Sequence, residues 1–187
     1  MSENLTRSFI CLPLPDEMKS ALGPWVTGLK AENPGLRWVR PDQYHITLKF
    51  CGGLTRGQID ALTENMGREL EKTGPGKILL APALPGAFPS LRSARVFFLG
   101  IGGETKKIED MAAVAEAAAA AAGISEETRA FRPHVTLARA KNPCPVKTLP
   151  FGEDPAQVWR AEKIQFLKSE LGPRGPVHTP IREWILE

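Results

Sequence analysis

The apolar residues of this chain follow two periodicities. Over residues 15–32, from Thr55 to Leu70 and from Glu104 to about Ala122, they recur every three or four positions, which predicts three amphipathic helices. Other stretches alternate polar and apolar residues or are continuously apolar, a pattern typical of strands. The predicted strands cover residues 7–14, 36–39, 44–50, 77–88, 93–102, 130–140, 161–171 and 177–187.

Short local signals mark where some elements begin, end or bend. Thr55, with Gln58 three residues later, matches a helix capping box. The pair Gly23-Pro24 predicts a kink or a break in the first helix. The proline-rich stretch 142–155 predicts a long loop of the kind that often forms a functional flap.

The order of elements mixes strands and helices in a way that favours an α+β fold over a doubly wound parallel sheet. Two similar segments, "HITL" at 45–48 and "HVTL" at 134–137, lie 89 residues apart, and each follows a helix and a proline-bearing turn. This spacing indicates an internal duplication. We therefore predict one bilobal domain over residues 1–187, with two pseudo-symmetric lobes, each an antiparallel sheet with flanking helices, around a central cleft.

Composition and charge narrow the class of protein. Of the 187 residues, 42% are hydrophobic and 24% are charged, as in an ordinary soluble globular protein, and no run is long and apolar enough to span a bilayer. The beginning of the chain shows no signal-peptide pattern, so we expect a cytoplasmic protein. The net charge of +3 permits a polyanionic partner without identifying one. The three widely spaced cysteines predict neither a disulfide framework nor a zinc knuckle.

The two H-[IV]-T-L segments carry the candidate chemistry. Side chains two positions apart in a strand share a face, so His45 lies beside Thr47 and His134 beside Thr136. If the two lobes face each other, two imidazoles and two hydroxyl groups line one cleft. A neutral imidazole accepts a proton and a protonated one donates it, while hydroxyl groups donate to phosphate oxygens. The pattern therefore favours in-line phosphoryl transfer without a metal.

The paired motif resembles that of the 2H phosphoesterases, and the resemblance to one branch, the RNA 2′,3′-cyclic phosphodiesterases (long called 2′-5′ RNA ligases), runs nearly end to end. The segments that carry it include "RSFICLPLP", "LRWVRPDQYHITLKFCGGL", "GAFPSLRSARVFFLGI", "RPHVTLAR" and "LGPRGPVHTPI". One departure is His178, which stands where the family usually has a tyrosine.

The resemblance implies metal-independent hydrolysis of an RNA 2′,3′-cyclic phosphate end to a 2′-phosphomonoester. In that scheme His134 is the base that activates water, and His45 is the acid that protonates the departing 3′ oxygen. Thr47, Thr136 and Arg139 hold the phosphate. The implied substrates are RNA ends or small nucleoside cyclic phosphates. We expect no cofactor, no membrane partner and a monomer.

The strict alternation of side chains along a strand predicts where the residues after each motif point. Lys49 shares a face with Thr47 and is a possible phosphate contact, whereas Phe50 is expected in the core, although it is also able to stack on a base. Arg139 falls on the far side of its strand from Thr136, so it reaches a phosphate only through a bulge or by curling back.

Other interpretations stay open at this stage. His45, His134 and His178 are enough for a zinc site, but no HxH or HExxH spacing supports one. "GIGGET" at 100–105 lacks the complete phosphate-loop patterns and favours a tight turn. ATP-independent 2′-5′ RNA ligation uses the same site in reverse. A non-catalytic RNA-end-binding module is the alternative from another class, with candidate backbone contacts at Arg92, Arg95, Lys168 and Arg174.

Overall fold

Strands and helices are mixed along the chain, as the sequence predicts. The computed structural model describes residues 5–149, 158–173 and 175–187. Its elements are β1 (Thr6–Pro13), α1 (Asp16–Glu32), β2 (Arg37–Trp38), a 3₁₀ turn (Pro41–Gln43), β3 (His45–Leu54), α2 (Arg56–Thr73), β4 (Ile78–Phe88), β5 (Ala94–Gly103), α3 (Thr105–Ala121), β6 (His134–Cys144), β7 (Trp159–Ala161), β8 (Lys163–Gly172) and β9 (Gly175–Ile185).

The described strands join in one antiparallel sheet with the order β7-β4-β5-β6-β3-β1-β8-β9, and β2 pairs with β6. The α+β class is therefore confirmed. Four strands lie on either side of the β6–β3 junction, where a single register pair, Ile46 with Val135, joins the two halves. Each half contributes one of the H-[IV]-T-L segments to this junction. None of the helices in the described ranges combines the length and apolar composition needed to cross a bilayer.

Two helix predictions have different outcomes. The capping box at the start of α2 is confirmed, because the Gln58 backbone N–H donates to Thr55 Oγ1 and the Thr55 N–H donates to Gln58 Oε1. Of the kink or break expected at Gly23-Pro24, the break does not occur, because α1 continues through both residues. Pro24 lies on the exposed side of α1, where water can bind the carbonyl group that the proline leaves without a donor.

The proline-rich stretch differs in part from the predicted loop. Its first three residues belong to β6, and residues 145–149 form neither helix nor strand. This described part is attached to α1: the Asn33 side chain donates to the Lys147 carbonyl and accepts from the Lys147 N–H, each at 2.9 Å. Residues 150–155 of the expected flap lie outside the described residues.

A buried ion pair connects β3 to α3. The Lys49 side chain is almost fully buried, and its Nζ lies 2.5 Å from Glu116 Oε1 and 2.7 Å from the Ser125 carbonyl oxygen. Glu116 Oε1 also accepts from the backbone N–H of Glu127. Through these contacts, Lys49 attaches the segment that follows α3 and leads toward β6 to strand β3. The expectation that it shares the His45 face and contacts phosphate is wrong.

We predict that Lys49→Met destabilises the protein by about 2–3 kcal/mol, because it leaves a partly buried carboxylate and a carbonyl group without their cation. The free energy of unfolding in urea measures this. Lys72→Met, which removes an exposed ion pair with Glu69, serves as the control and is expected to cost less than about 1 kcal/mol. Equal losses in the two variants would contradict the structural role of Lys49.

Candidate active site

A β-bulge lies at the leucine that ends each H-[IV]-T-L segment. In the β1–β3 ladder Cys11 is opposite Thr47 and Ile10 is opposite Lys49, so Leu48 is an extra residue. In the β5–β6 ladder Phe98 is opposite Thr136 and Phe97 is opposite Ala138, so Leu137 is an extra residue. An extra residue shifts the alternation of side chains by one position for the rest of the strand. The two motifs therefore share one local geometry.

The bulges decide where Phe50 and Arg139 point. Leu48 and Lys49 are both buried, and so are Leu137 and Ala138, whereas the next residue in each strand is exposed. Phe50 and Arg139, each five positions after a motif histidine, consequently line the same cleft. The expectation of a core position for Phe50 is wrong, since half of its surface is exposed. Strict alternation would point Arg139 away from Thr136, and the bulge turns its side chain toward the cleft instead.

The cleft has a volume of about 880 Å³ and contains most of the predicted site. His45, Thr47, Thr136 and Arg139 line it, and His178 forms part of its edge. Val135 and Ile46 point the other way and are fully buried. His134 is not among the lining residues, but it lies two positions before Thr136 on the same face of β6 and is half-buried.

Each catalytic candidate histidine is held by the backbone just before it. His45 Nδ1 lies 2.7 Å from the Gln43 carbonyl oxygen, and His134 Nδ1 lies 2.7 Å from the Arg132 carbonyl oxygen. A carbonyl group only accepts, so Nδ1 carries the proton in both rings. Nε2 is then the atom that changes protonation state: it accepts when the ring is neutral and donates when the ring is cationic.

Aromatic rings fix the orientation of the two imidazoles. Phe9 stacks on His45 with ring centroids 4.8 Å apart, and His178 meets His45 edge-on at 5.6 Å. On the other half of the sheet, His134 contacts Phe88 at 5.4 Å and Phe98 at 5.2 Å. Each histidine is therefore packed by aromatic rings from its own half of the sheet, and one edge of its imidazole ring faces the cleft.

Burial makes both imidazoles harder to protonate. It lowers the pKa of His45 to about 4, and the nearby His178, Arg139 and His134 act in the same direction. Burial also lowers the pKa of His134, and so does the charge of Arg139. Both rings are therefore neutral at pH 7 in the free protein, because desolvation penalises the charged form.

The cleft also contains cationic side chains that were not predicted from the sequence. Arg7, Arg37, Arg40 and Lys141 line it, and the described lining includes no carboxylate. They come from β1, β2, the segment before the 3₁₀ turn and β6, which meet only in the folded sheet. For the three cations that lie in strands, Arg7, Arg37 and Lys141, the alternation of strand residues is the signal in the sequence.

Several other candidates lie elsewhere. Arg92, Arg95 and Lys168 do not line the cleft, and Arg174 is outside the described residues. Within the described part of the chain, no three His, Cys, Asp or Glu side chains, the three histidines included, are grouped so that they could hold a metal ion. The stretch 100–105 differs from the expected turn: residues 100–103 end β5, and the chain passes into α3 at Glu104. A Cβ on Gly103, where φ is 88°, would lie 2.4 Å from the Leu79 carbonyl oxygen.

The geometry defines a class of protein: two histidine–threonine motifs, one from each half of a curved antiparallel sheet, are the arrangement of a 2H phosphoesterase. A LigT-like phosphoesterase family model matches residues 12–98. The RNA 2′,3′-cyclic phosphodiesterase of Thermus thermophilus is 30% identical over 185 residues, 96% of this chain and 90% of that one. The Escherichia coli protein of the same name is 30% identical over 182 residues, 96% of each chain.

Solved structures agree with this assignment. Escherichia coli LigT complexed with 3′-AMP superposes with a TM-score of 0.81 at 25% identity and covers 97% of this chain and 98% of its own. The TT0787 protein of Thermus thermophilus gives a TM-score of 0.78 at 28% identity, with 96% and 97% covered. The chain belongs to the LigT-like family of RNA 2′,3′-cyclic phosphodiesterases.

The low pKa of His45 predicts a loss of stability in mild acid. With a pKa of about 4 in the folded state and an ordinary value of 6.5, the unfolded state binds more protons between these limits. The contribution is fully present above pH 6.5 and is lost as the pH falls toward 4. Urea unfolding at pH 7.5, 5.5 and 4.5 should show a smaller decline for His45→Gln than for the wild type. Parallel declines would mean that His45 is not desolvated.

Proposed function

We propose that this protein hydrolyses the 2′,3′-cyclic phosphate at the end of an RNA to a 2′-phosphomonoester, by acid–base catalysis with two histidines and no metal. The observation that carries the proposal is the matched pair of imidazoles, each fixed through Nδ1 and each on the cleft face of its strand. The activity named for the relatives supports the same chemistry.

The register of the junction explains why the arrangement suits phosphoryl transfer. Continuing the antiparallel register on either side of Ile46 and Val135 sets His45 across from Thr136 and His134 across from Thr47. The two histidines are then diagonal neighbours, with Cα atoms about 7–8 Å apart. A phosphorus atom between them has one imidazole on each side, as an in-line displacement requires.

The roles follow the order of bonds made and broken. His134 Nε2 takes a proton from water as the water oxygen attacks phosphorus, and His45 Nε2–H gives a proton to the 3′ oxygen as the P–O3′ bond breaks. The 2′ oxygen keeps the phosphate. Thr47 and Thr136 donate to the non-bridging oxygens, and the Arg139 guanidinium stabilises the charge that develops on them.

His45 needs a proton that it lacks in the free protein at pH 7. Binding of a phosphodiester favours protonation of His45, because the negative charge of the phosphodiester in a partly desolvated cleft stabilises the imidazolium ion. Substrate binding therefore raises the pKa of His45 from its value of about 4. The acid is charged only when a phosphate is present.

We also propose that the chain acts as one bilobal domain and as a monomer in the cytoplasm. All residues assigned to the site come from a single chain, so no second copy is needed to complete it. Cys11, Cys51 and Cys144 are free thiols, as is usual in a reducing compartment.

The two histidines are tested by substitution. On a short RNA with a 2′,3′-cyclic phosphate end, His45→Ala and His134→Ala are each expected to lower kcat by roughly 10²–10⁴-fold, in line with the loss of a general acid or base. EDTA should not change the wild-type rate, and Arg92→Ala, which is exposed outside the cleft, is the control. Near-normal hydrolysis by either histidine variant rules out the mechanism. A 3′-phosphate product would exchange the roles of acid and base.

Phe50 is expected to bind the terminal base. Its ring is half exposed in the cleft, and the Arg7 guanidinium lies 4.9 Å from the ring centroid, which orients it. Stacking on an aromatic ring is worth about 1–3 kcal/mol per base, so Phe50→Ala should raise KM by roughly 5- to 150-fold with a smaller change in kcat. Phe50→Trp should retain binding, and Leu84→Ala, an exposed residue of β4, is the control. An unchanged KM for Phe50→Ala would exclude stacking.

A further inference from the structure

One face of the β2–β6 ladder has a row of positive charges. Arg37 is directly opposite Arg139 in this antiparallel pair. Lys141 follows two positions after Arg139, in a part of β6 where the register with β5 shifts between Val96 and Ala94. All three side chains line the cleft, beyond Thr136 as β6 leads away from His134.

No carboxylate balances this row. Among the residues that the structure describes, Arg37, Arg139 and Lys141 form no ion pair, whereas the neighbouring Arg40 is paired with Asp42. The described lining of the cleft contains no Asp or Glu. Like charges directly opposite each other destabilise a sheet, so this row costs stability in the free protein. Bound anions would remove that cost.

The terminal cyclic phosphate does not account for the whole row. It carries one negative charge, and His45, His134, Thr47, Thr136 and Arg139 already surround its proposed position. Lys141 lies roughly 7 Å beyond Arg139 along the strand, by the usual rise of two residues. Lys141 is therefore placed for a second anion, farther along the cleft than the reacting one. Arg37 is level with Arg139 in the ladder and adds a second guanidinium at the near end of that position.

We propose that Arg37 and Lys141, together with Arg139, form an upstream phosphate subsite that binds the internucleotide phosphate preceding the terminal nucleotide. The inference rests on the proposed function and specifies its substrate: an oligoribonucleotide with a cyclic phosphate end rather than a nucleoside cyclic phosphate. The internucleotide phosphate is attached to the 5′ oxygen of the terminal nucleoside, so it is directed toward the far end of the row when the cyclic phosphate is at the histidines.

The test compares adenosine 2′,3′-cyclic phosphate with the trinucleotide ApApA ending in a 2′,3′-cyclic phosphate. The wild type is expected to show at least a tenfold higher kcat/KM for the trinucleotide at low salt. In the double variant Arg37→Gln/Lys141→Gln this ratio should fall toward one. The slope of log kcat/KM for the trinucleotide against log salt should flatten by about 0.7, the value for one phosphate contact with a single strand.

Matched controls separate a local subsite from a general field. Arg92→Gln/Arg95→Gln removes the same charge from exposed positions outside the cleft and should leave the ratio and the salt slope unchanged. Arg37→Lys/Lys141→Arg keeps the charge and should keep most of the ratio. Affinities for the 2′-phosphorylated mononucleotide and trinucleotide products give the same comparison without turnover.

Three results would overturn the subsite. These are a wild-type ratio near one, equal losses on both substrates in the Arg37→Gln/Lys141→Gln variant, or an equal fall of the ratio in the Arg92→Gln/Arg95→Gln control. Failure of the proposed function has a different signature, because neither substrate would then be hydrolysed by the wild type, while the product affinities would still report on the subsite.

Discussion

The backbone pairing of Ile46 with Val135 is the constraint on which the site depends. It is the only register pair between the two halves of the described sheet, and it lies between the histidine and the threonine of both motifs. Both side chains are fully buried, so hydrophobic burial favours this register over a slip by one residue, which would expose them. The same preference turns His45 and His134 toward the cleft. Core packing and the placement of the two candidate histidines are therefore set by one contact.

The paired bulges add a second level of control. Up to Thr47 and Thr136, each strand presents alternate residues to the cleft, and one extra leucine then reverses the order. This reversal buries Lys49, whose charge is met by Glu116. It also lets the positions three residues after each threonine, Phe50 and Arg139, face the cleft. A regular strand of the same sequence would present a different set of side chains.

Most of the fold and the centre of the site were predictable from the sequence, because they depend on local periodicity. The histidine–threonine pairs share a face in any extended strand, and the capping residues of α2 act within one turn. Phe50 and Lys49 were misplaced because a bulge is a property of two strands: the extra residue is visible only when β1 is aligned with β3. Arg37 was missed for a related reason, since its importance comes from lying opposite Arg139.

The approximate two-fold symmetry of the site ends five positions after each histidine. There one half carries the apolar ring of Phe50 and the other the guanidinium of Arg139. A purely symmetric cleft would accept a nucleotide in two opposite orientations, only one of which matches water to the proposed base and the 3′ oxygen to the proposed acid. The difference between these two side chains gives the cleft a direction. In the proposed mechanism, these two unlike residues would contribute to regiochemistry, the choice of which ester bond is broken.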